Sequence, residues 1–313
     1  MTNGPDPDDP ATRQTRIAVI VCSVGRPDCL SGLLAPLAAQ SRPADRVLFV
    51  VTRPEDIGVD PRGAFGPRTD VEVIVAPKGL PRQRNAGLDR VMGDADLIVF
   101  FDDDYVPSRH ALAGIEAGFA AWPEVGGMTG ALIADGINSP GLSTREAERL
   151  VAEWDAVTPP PGGRPLRIVD RDLAGLYGCN MAYRASHVGD VRFDERLPLY
   201  AWQEDIDFAA RIAGRRIRTD AFAGVHRGAR SGREIAGHRL GYSQIANPWY
   251  LWRKGTMTAS FALRLAVRNL AANHLRAARP EPWIDRAARA RGNRIALLDV
   301  IRGRADPERI LSL

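Results

Sequence analysis

The sequence contains few cysteines and no long apolar run, and each shortage argues against a class of protein. Only three cysteines occur in 313 residues, and Cys22, Cys29 and Cys179 form no closely spaced pair. A disulfide framework and a structural zinc site are therefore disfavoured, and a reducing compartment suits the chain. No segment reaches the roughly 18 consecutive apolar residues of a membrane-spanning helix, so we expect none.

The N-terminus lacks the apolar core of a signal peptide. Residues 1–15 contain three prolines and three aspartates but no apolar run, a composition that is typical of disordered segments. We therefore expect a disordered leader over residues 1–15 and a cytoplasmic protein.

Net charge is small overall but unevenly distributed. The formal net charge of the chain is +4. Residues 253–313 contain 13 basic and five acidic residues, whereas residues 1–252 contain 29 basic and 33 acidic residues. A body that leans acidic thus carries a basic C-terminal segment, which favours an anionic partner such as membrane lipid, nucleic acid or a phosphorylated substrate.

The most informative stretch is an apolar run that ends in three carboxylates. Residues 97–101 predict a strand buried on both faces, and Asp102, Asp103 and Asp104 follow directly. Unpaired carboxylates are costly in a core, so the run should lie at the strand's carboxyl end, where open α/β sheets bind ligands. Asp102 and Asp104 would share one face. Such oxygen ligands suit Mg²⁺ or Mn²⁺ and hence a diphosphate, although an isolated acidic run is more often a cap or a solvated turn.

The preceding part of the chain predicts an α/β fold with a parallel sheet. Residues 16–23 and 46–51 are apolar runs that flank a leucine-rich helical pattern, and together they predict a βαβ unit. Pro36 should weaken that helix or end it early. Arg84 lies near the start of another predicted helix, where a cation opposes the helix dipole. A bound phosphate would explain this position, as would simple solvation of a long side chain.

A second acidic cluster falls on a predicted helix further along the chain. Glu204 and Asp205 stand near the N-terminus of this helix, where the dipole favours anions. Asp207 and Arg211 have the i,i+4 spacing of a helical ion pair. Helix capping alone would account for the cluster. A short strand over residues 216–218 and then His226 should follow.

These motifs, in this order and spacing, resemble those of the family 2 glycosyltransferases, which are inverting nucleotide-sugar enzymes of the GT-A fold. The resemblance is spread over roughly residues 16–228. It implies an α/β nucleotide-binding domain with a mostly parallel mixed sheet at residues 16–230. An α-helical, basic C-terminal extension would occupy residues 231–313.

The resemblance also implies roles for individual residues. Asp205 would be the general base, with Glu204 beside it in the catalytic motif, and Asp104 and His226 would bind Mn²⁺ or Mg²⁺. Two loops and the acidic run would bind the nucleotide-sugar donor, through Ser23, Arg26, Arg84, Asp102, Asp103, Gly178 and Asn180. One departure from the family pattern concerns the end of the second strand, where Thr52 and Arg53 replace an aspartate that reads uracil. The base of the donor therefore stays open.

The residue types suit this chemistry independently of the family. Loss of a nucleoside diphosphate from an anomeric carbon develops negative charge, which a divalent metal can stabilise. An acceptor hydroxyl must lose a proton as it attacks, and Asp205 could accept it if burial and Glu204 raise its pKa. The acceptor would be a saccharide or a lipid-linked saccharide, as in the assembly of bacterial surface polysaccharides or glycolipids.

The C-terminal segment leaves two alternatives open. Leu263, Val267 and Leu270 share one helix face, and Arg264 and Arg268 lie on an adjacent one. This amphipathic pattern fits packing against the catalytic domain. It also fits a peripheral position on the inner face of an anionic membrane, where aromatic and basic residues anchor proteins.

Two other functions are compatible with parts of the sequence. A nucleotidyltransferase could share the sheet and the acidic metal site, but it would normally carry a glycine-rich basic loop after the first strand, and Gly25 with Arg26 is a poor version of that loop. A nucleic-acid-binding protein is suggested only by the arginine-rich C-terminus, and no nucleic-acid-binding motif accompanies it.

Overall fold

The computed structural model describes residues 14–228 and 237–313. The strands are β1 (Ile17–Cys22), β2 (Arg46–Val51), β3 (Asp70–Val75), β4 (Leu97–Asp102), β5 (Tyr105–Pro107), β6 (Val125–Asp135), β7 (Ile168–Arg171), β8 (Asn180–Arg184) and β9 (Arg215–His226). The α-helices are α1 (Pro27–Ala38), α2 (Leu80–Val91), α3 (Ala111–Ala121), α4 (Thr144–Val157), α5 (Ala185–Val188), α6 (Glu204–Arg211), α7 (Gly237–Lys254), α8 (Ala259–Leu275) and α9 (Arg286–Ile301). Short 3₁₀ helices span Pro54–Ile57, Pro61–Ala64, Gly136–Asn138, Arg276–Ala278 and Pro307–Leu311.

Within the described residues, nine strands form one mixed sheet. Its order is β3-β2-β1-β4-β8-β6-β9-β5, and β7 pairs with β9. The pairs β1–β2, β1–β4, β2–β3 and β6–β9 are parallel. The pairs that β8 forms with β4 and β6, and those that β9 forms with β5 and β7, are antiparallel. The predicted βαβ unit and the mixed α/β fold class are therefore confirmed.

The sheet is buried on both faces, as the uninterrupted apolar runs predict. All six residues of β1 are buried, as are the first five of β4. Helices α1 and α3 cover one face, with Leu33 and Ile115 in the core. Helices α2 and α6 cover the other face, with Leu88 and Phe208. This double cover forces the carboxylates that follow β4 to the sheet's edge.

Two local predictions were wrong. Helix α1 continues through Pro36 to Ala38, because Leu33, Leu34 and Leu37 are buried around that position and packing outweighs the missing backbone hydrogen bond. The short strand predicted at residues 216–218 is part of the twelve-residue β9. Pairing with β6 along most of its length extends it to His226, so its last residue lies beside the site.

The C-terminal region is helical, as expected, and α7 and α9 approach each other closely. A methyl group on Gly292 would lie 1.9 Å from the carbonyl oxygen of His238, so only glycine fits there. Tyr242, Ile245 and Ala296 form the buried contact between the two helices. The boundary predicted between residues 230 and 231 and most of the predicted leader, residues 1–13, lie outside the described residues. None of the described helices combines the length and the apolar character needed to cross a membrane.

Candidate active site

The three carboxylates lie where β4 ends, next to the end of β1. Asp102 is the last residue of β4 and pairs in register with Cys22. Asp103 is buried and points toward the loop after β1, where it accepts a hydrogen bond of 2.6 Å from Ser23 Oγ. Arg26 Nη2 lies 2.5 Å from the other oxygen of Asp103. Burial raises the pKa of Asp103, and the arginine and the hydroxyl counteract it. The first loop thus holds Asp103 in place.

Asp102 and Asp104 come together with His226. One ligand atom from each of these three side chains lies within 4.8 Å of the others. His226 Nε2 is 3.5 Å from Asp104 Oδ1, and its Nδ1 is 2.8 Å from Asp135 Oδ1. Burial by itself lowers the pKa of His226, but hydrogen bonds and charge from Asp104 and Asp135 raise it to about 10.

The donor set of this cluster fits a divalent cation. Two carboxylates and an imidazole suit Mn²⁺, which accepts oxygen and nitrogen ligands, better than Mg²⁺, which prefers oxygen. Asp104 and His226 are buried, whereas the side chain of Asp102 is 32% exposed. The cluster is therefore open on the side of Asp102. Asp135 would fix the orientation of the His226 ring by bonding its Nδ1, as carboxylates commonly do for metal-binding histidines.

Arg84 connects the acidic run to the second acidic cluster. It lies in α2, is 2% exposed, and its guanidinium is 3.1 Å from Asp102 and 2.5 Å from Glu204. It also donates a hydrogen bond of 2.9 Å to the carbonyl oxygen of Gly178. The rings of Phe100 and Phe193 lie 5.6 and 5.3 Å from it. Two carboxylates within the protein thus explain the cation near the start of α2, and the burial of Arg84 rules out the alternative of a solvated side chain.

Glu204 and Asp205 begin α6 and have elevated pKa values. Burial raises the pKa of Glu204 to about 8, against the attraction of Arg84. Oxygen Oε2 of Glu204 is buried and has no hydrogen-bond partner among the described residues. Burial also raises the pKa of Asp205, and Arg84 and two backbone hydrogen bonds lower it in part. These bonds come from Gly178 N at 3.1 Å and Ile206 N at 2.8 Å.

The loop before β8 joins these parts. Gly178 donates to Asp205 and accepts from Arg84, and the next residue, Cys179, accepts from the backbone nitrogen of Asp102 at 3.1 Å. The structure therefore brings together ten of the eleven predicted site residues by direct contacts. Asn180 is different, because its side chain is fully buried between Thr129 and Tyr105. Its predicted donor-binding role stays a prediction.

Sequence reasoning missed Asp135 and Tyr177. Asp135 ends the long strand β6, and Tyr177 donates a hydrogen bond of 2.8 Å to its second oxygen. Asp135 is 91 residues from His226 in the sequence, and no local pattern marks either residue. Only the parallel pairing of β6 with β9, which places Asp135 opposite His226, could have revealed the contact.

Comparison with known proteins identifies the family to which the chain belongs. The model of glycosyl transferase family 2 matches residues 18–191, which is more than half of the chain. Comparison with curated protein sequences gives no match. The protein belongs to glycosyl transferase family 2.

Two solved structures show the same fold at low sequence identity. The mannosyltransferase PcManGT from Pyrobaculum calidifontis, in complex with GDP-Man and Mn²⁺, is 18% identical, with a TM-score of 0.53 over 98% of this chain and 87% of that one. TarS 1-349 from S. aureus, in complex with UDP-GlcNAc, is 15% identical, with a TM-score of 0.51 over 92% of both chains. The GT-A fold with a helical C-terminal region is therefore confirmed.

Proposed function

We propose that the protein is a metal-dependent inverting glycosyltransferase that uses a nucleoside-diphosphate sugar as donor. The observation that supports this most directly is the joining of two acidic clusters by Arg84. One cluster, Asp102 and Asp104 with His226, suits a divalent cation. The other, Glu204 and Asp205, offers carboxylates with raised pKa values. Both related structures were obtained with nucleoside-diphosphate sugars, UDP-GlcNAc and GDP-Man.

The donor side of the reaction depends on cation binding and on fixed positive charge. Asp102, Asp104 and His226 would hold Mn²⁺ or Mg²⁺, which supplies Lewis-acid stabilisation of the departing diphosphate. Arg26 keeps part of its side chain exposed, 22%, while it pairs with Asp103. Its charge therefore remains available near the diphosphate. Ser23 and Asp103 would fix this loop rather than contact the sugar.

On the acceptor side, Asp205 would remove the proton from the attacking hydroxyl. Burial raises the pKa of Asp205, and a carboxylate with a raised pKa is a stronger base than an ordinary aspartate. Attack on the anomeric carbon from the side opposite the diphosphate inverts the configuration and needs only one base. Glu204, next to Asp205, would pair with the guanidinium of Arg84.

A donor screen tests the reaction class. The wild-type protein is incubated with a panel of nucleotide sugars, with Mn²⁺ or with excess chelator, and the released nucleotide is identified by chromatography. We expect a nucleoside diphosphate, released only with the metal, and little release by Asp104→Ala. Release of pyrophosphate from a sugar phosphate and a nucleoside triphosphate would instead indicate a nucleotidyltransferase.

We further propose that the acceptor is lipid-linked, in surface-polysaccharide or glycolipid assembly, and that the segment from Trp249 to Arg279 holds the protein on the membrane surface. Helix α8 contains no acidic residue. Its Leu263 and Val267 are 66% and 54% exposed, and Arg264 and Arg268 follow them in the same exposed strip. Exposed apolar side chains next to unopposed arginines favour an anionic lipid surface.

Liposome flotation tests the membrane proposal separately. The protein should float with liposomes that contain anionic lipid, and the bound fraction should fall with salt and in the double variant Arg264→Gln/Arg268→Gln. Arg149→Gln is the matched control, because Arg149 is equally cationic but lies in α4 and pairs with Glu153. Equal binding of all three proteins, or none at low salt, would favour a free saccharide acceptor.

A further inference from the structure

The C-terminal region contacts α6 through a carboxylate that the proposed reaction does not use. Asp207 is fully buried, with 0% exposure. It is bound by Arg211 of its own helix at 2.6 Å, by Lys254 Nζ at 2.8 Å and by Thr256 Oγ1 at 2.8 Å. Lys254 is the last residue of α7, and Thr256 lies just beyond it. Two of these three donors to a buried carboxylate of α6 thus come from the C-terminal region.

Lys254 also ties α6 to the segment before it. Its Nζ lies 2.5 Å from Asp194 Oδ2, which accepts a second hydrogen bond of 2.7 Å from the hydroxyl of Tyr250. Burial alone would raise the pKa of Asp194, but the hydrogen bonds from Lys254 and Tyr250 lower it. Next to Asp194, the ring of Phe193 stacks on Phe208 of α6 at 3.9 Å. The ammonium group of Lys254 therefore contacts α6 directly through Asp207, and it also binds the segment whose Phe193 packs on α6.

The backbone that leads into α6 is strained and is covered by α7. In this segment, three residues other than glycine have positive φ angles, Leu199 at 60°, Ala201 at 53° and Gln203 at 74°. Such conformations persist only where the surrounding structure enforces them. Asn247 of α7 donates a hydrogen bond of 2.8 Å to the carbonyl oxygen of Trp202, and Leu251 packs with Ala201 in one buried cluster. The C-terminal region therefore supports both the entry to α6 and its interior.

We propose that Lys254 and Thr256 are positioning residues that hold α6, and through it Asp205, in place for proton removal from the acceptor. This inference rests on the proposed function and extends it to the C-terminal region. Asp205 lies two residues before Asp207 on a helix of only eight residues, so a shift of one moves the other. Misplacement of a reacting group by about 1 Å can cost about 10²-fold in rate. Asp102, Asp104 and His226, which would hold the cation, lie at or just beyond the ends of β4 and β9 rather than on α6, so binding of the cation and the diphosphate should change little in a Lys254 variant.

The test compares Lys254→Met with a matched control, Arg304→Met. Asp299 is also buried, 1% exposed, and Arg304 lies 2.8 Å from it. Each substitution removes one cation from a buried carboxylate and leaves another in place, Arg211 in the first case and Arg309 in the second. Asp299 belongs to α9, so the control perturbs the C-terminal region without touching α6.

We expect Lys254→Met to lower kcat about 10²-fold while the affinity for the nucleoside diphosphate with Mn²⁺, measured by calorimetry, stays within twofold. Thr256→Val, which removes a single hydrogen bond, should lower kcat by a smaller factor, and Lys254→Arg should restore most of it. The pH profile of kcat should shift in Lys254→Met, because a displaced Asp205 titrates differently. Arg304→Met should change none of these quantities at a temperature where it is folded.

Hydrogen exchange provides a readout that does not depend on turnover. Amides of residues 199–211 should exchange faster in Lys254→Met and in Thr256→Val than in the wild type. Their exchange rates in Arg304→Met should equal those of the wild type. Equal exchange in this segment for all variants, or equal kcat for Lys254→Met and Arg304→Met, would overturn the positioning role. If Lys254→Met does not fold, Thr256→Val decides. A wild type that transfers no sugar from any donor would refute the proposed function and leave the exchange experiment valid.

Discussion

Replacement of Arg84 by methionine should destabilise the protein strongly, because this one buried side chain compensates two carboxylates. Arg84 is 2% exposed and contacts Asp102 at 3.1 Å and Glu204 at 2.5 Å. Removal of one partner of a buried ion pair costs about 3–5 kcal/mol. The carbonyl oxygen of Gly178 would lose its donor as well. We expect a loss within this range, measured as the free energy of unfolding in urea with an unchanged slope.

Arg149→Met is the matched control for this prediction. Arg149 lies 2.5 Å from Glu153, the same separation as Arg84 from Glu204, but the side chains of Arg149 and Glu153 are each 60% exposed. Exposed helical pairs of this spacing contribute only about 0.3–0.5 kcal/mol. Because the two ion pairs have the same separation, the difference between their costs in unfolding free energy reports the effect of burial. If Arg84→Met cost no more than Arg149→Met, the view of Arg84 as the link between the two acidic clusters would be refuted.

Three further predictions concern the metal cluster, the base and the C-terminal helices. Asp135→Asn should weaken Mn²⁺ binding about 10–100-fold, because it loosens His226; calorimetry with unaltered affinity would contradict this. Because burial raises the pKa of Asp205 above 3.8 and the base acts when deprotonated, kcat should rise with pH through an inflection above that value, and a rate that is flat from pH 4 upward would refute it. Gly292→Ala should cost about 1–3 kcal/mol through overpacking against His238, measured by urea unfolding, and an unchanged midpoint would contradict the close contact.

Local patterns in the sequence predicted what depends on neighbouring residues. The apolar run before Asp102 required a buried strand, and the carboxylates that follow it had to lie where that strand ends. The pair formed by Asp207 and Arg211 at 2.6 Å followed from helix geometry. Each of these inferences needed only a few consecutive residues and the rule that unpaired charges are costly to bury.

Contacts between distant segments could not be predicted in the same way. Arg84 meets Glu204 across 120 positions, so its partners depend on how α2 and α6 pack on the sheet. Lys254 reaches Asp207 across 47 positions, and the basic, amphipathic pattern of the C-terminal segment does not indicate this contact. Pro36 gave the opposite error, because the buried leucines around it kept a helix that proline alone would have ended.

The measurement that tests the central claim most directly compares donor binding and sugar transfer in Asp205→Asn. The substitution keeps the size of the side chain and removes its capacity to accept a proton. We expect the affinity for the nucleotide sugar with Mn²⁺ to be unchanged, and the rate of transfer to fall by about 10²–10⁴-fold. Transfer at nearly the wild-type rate by a variant that binds donor normally would contradict the assignment of Asp205 as the base.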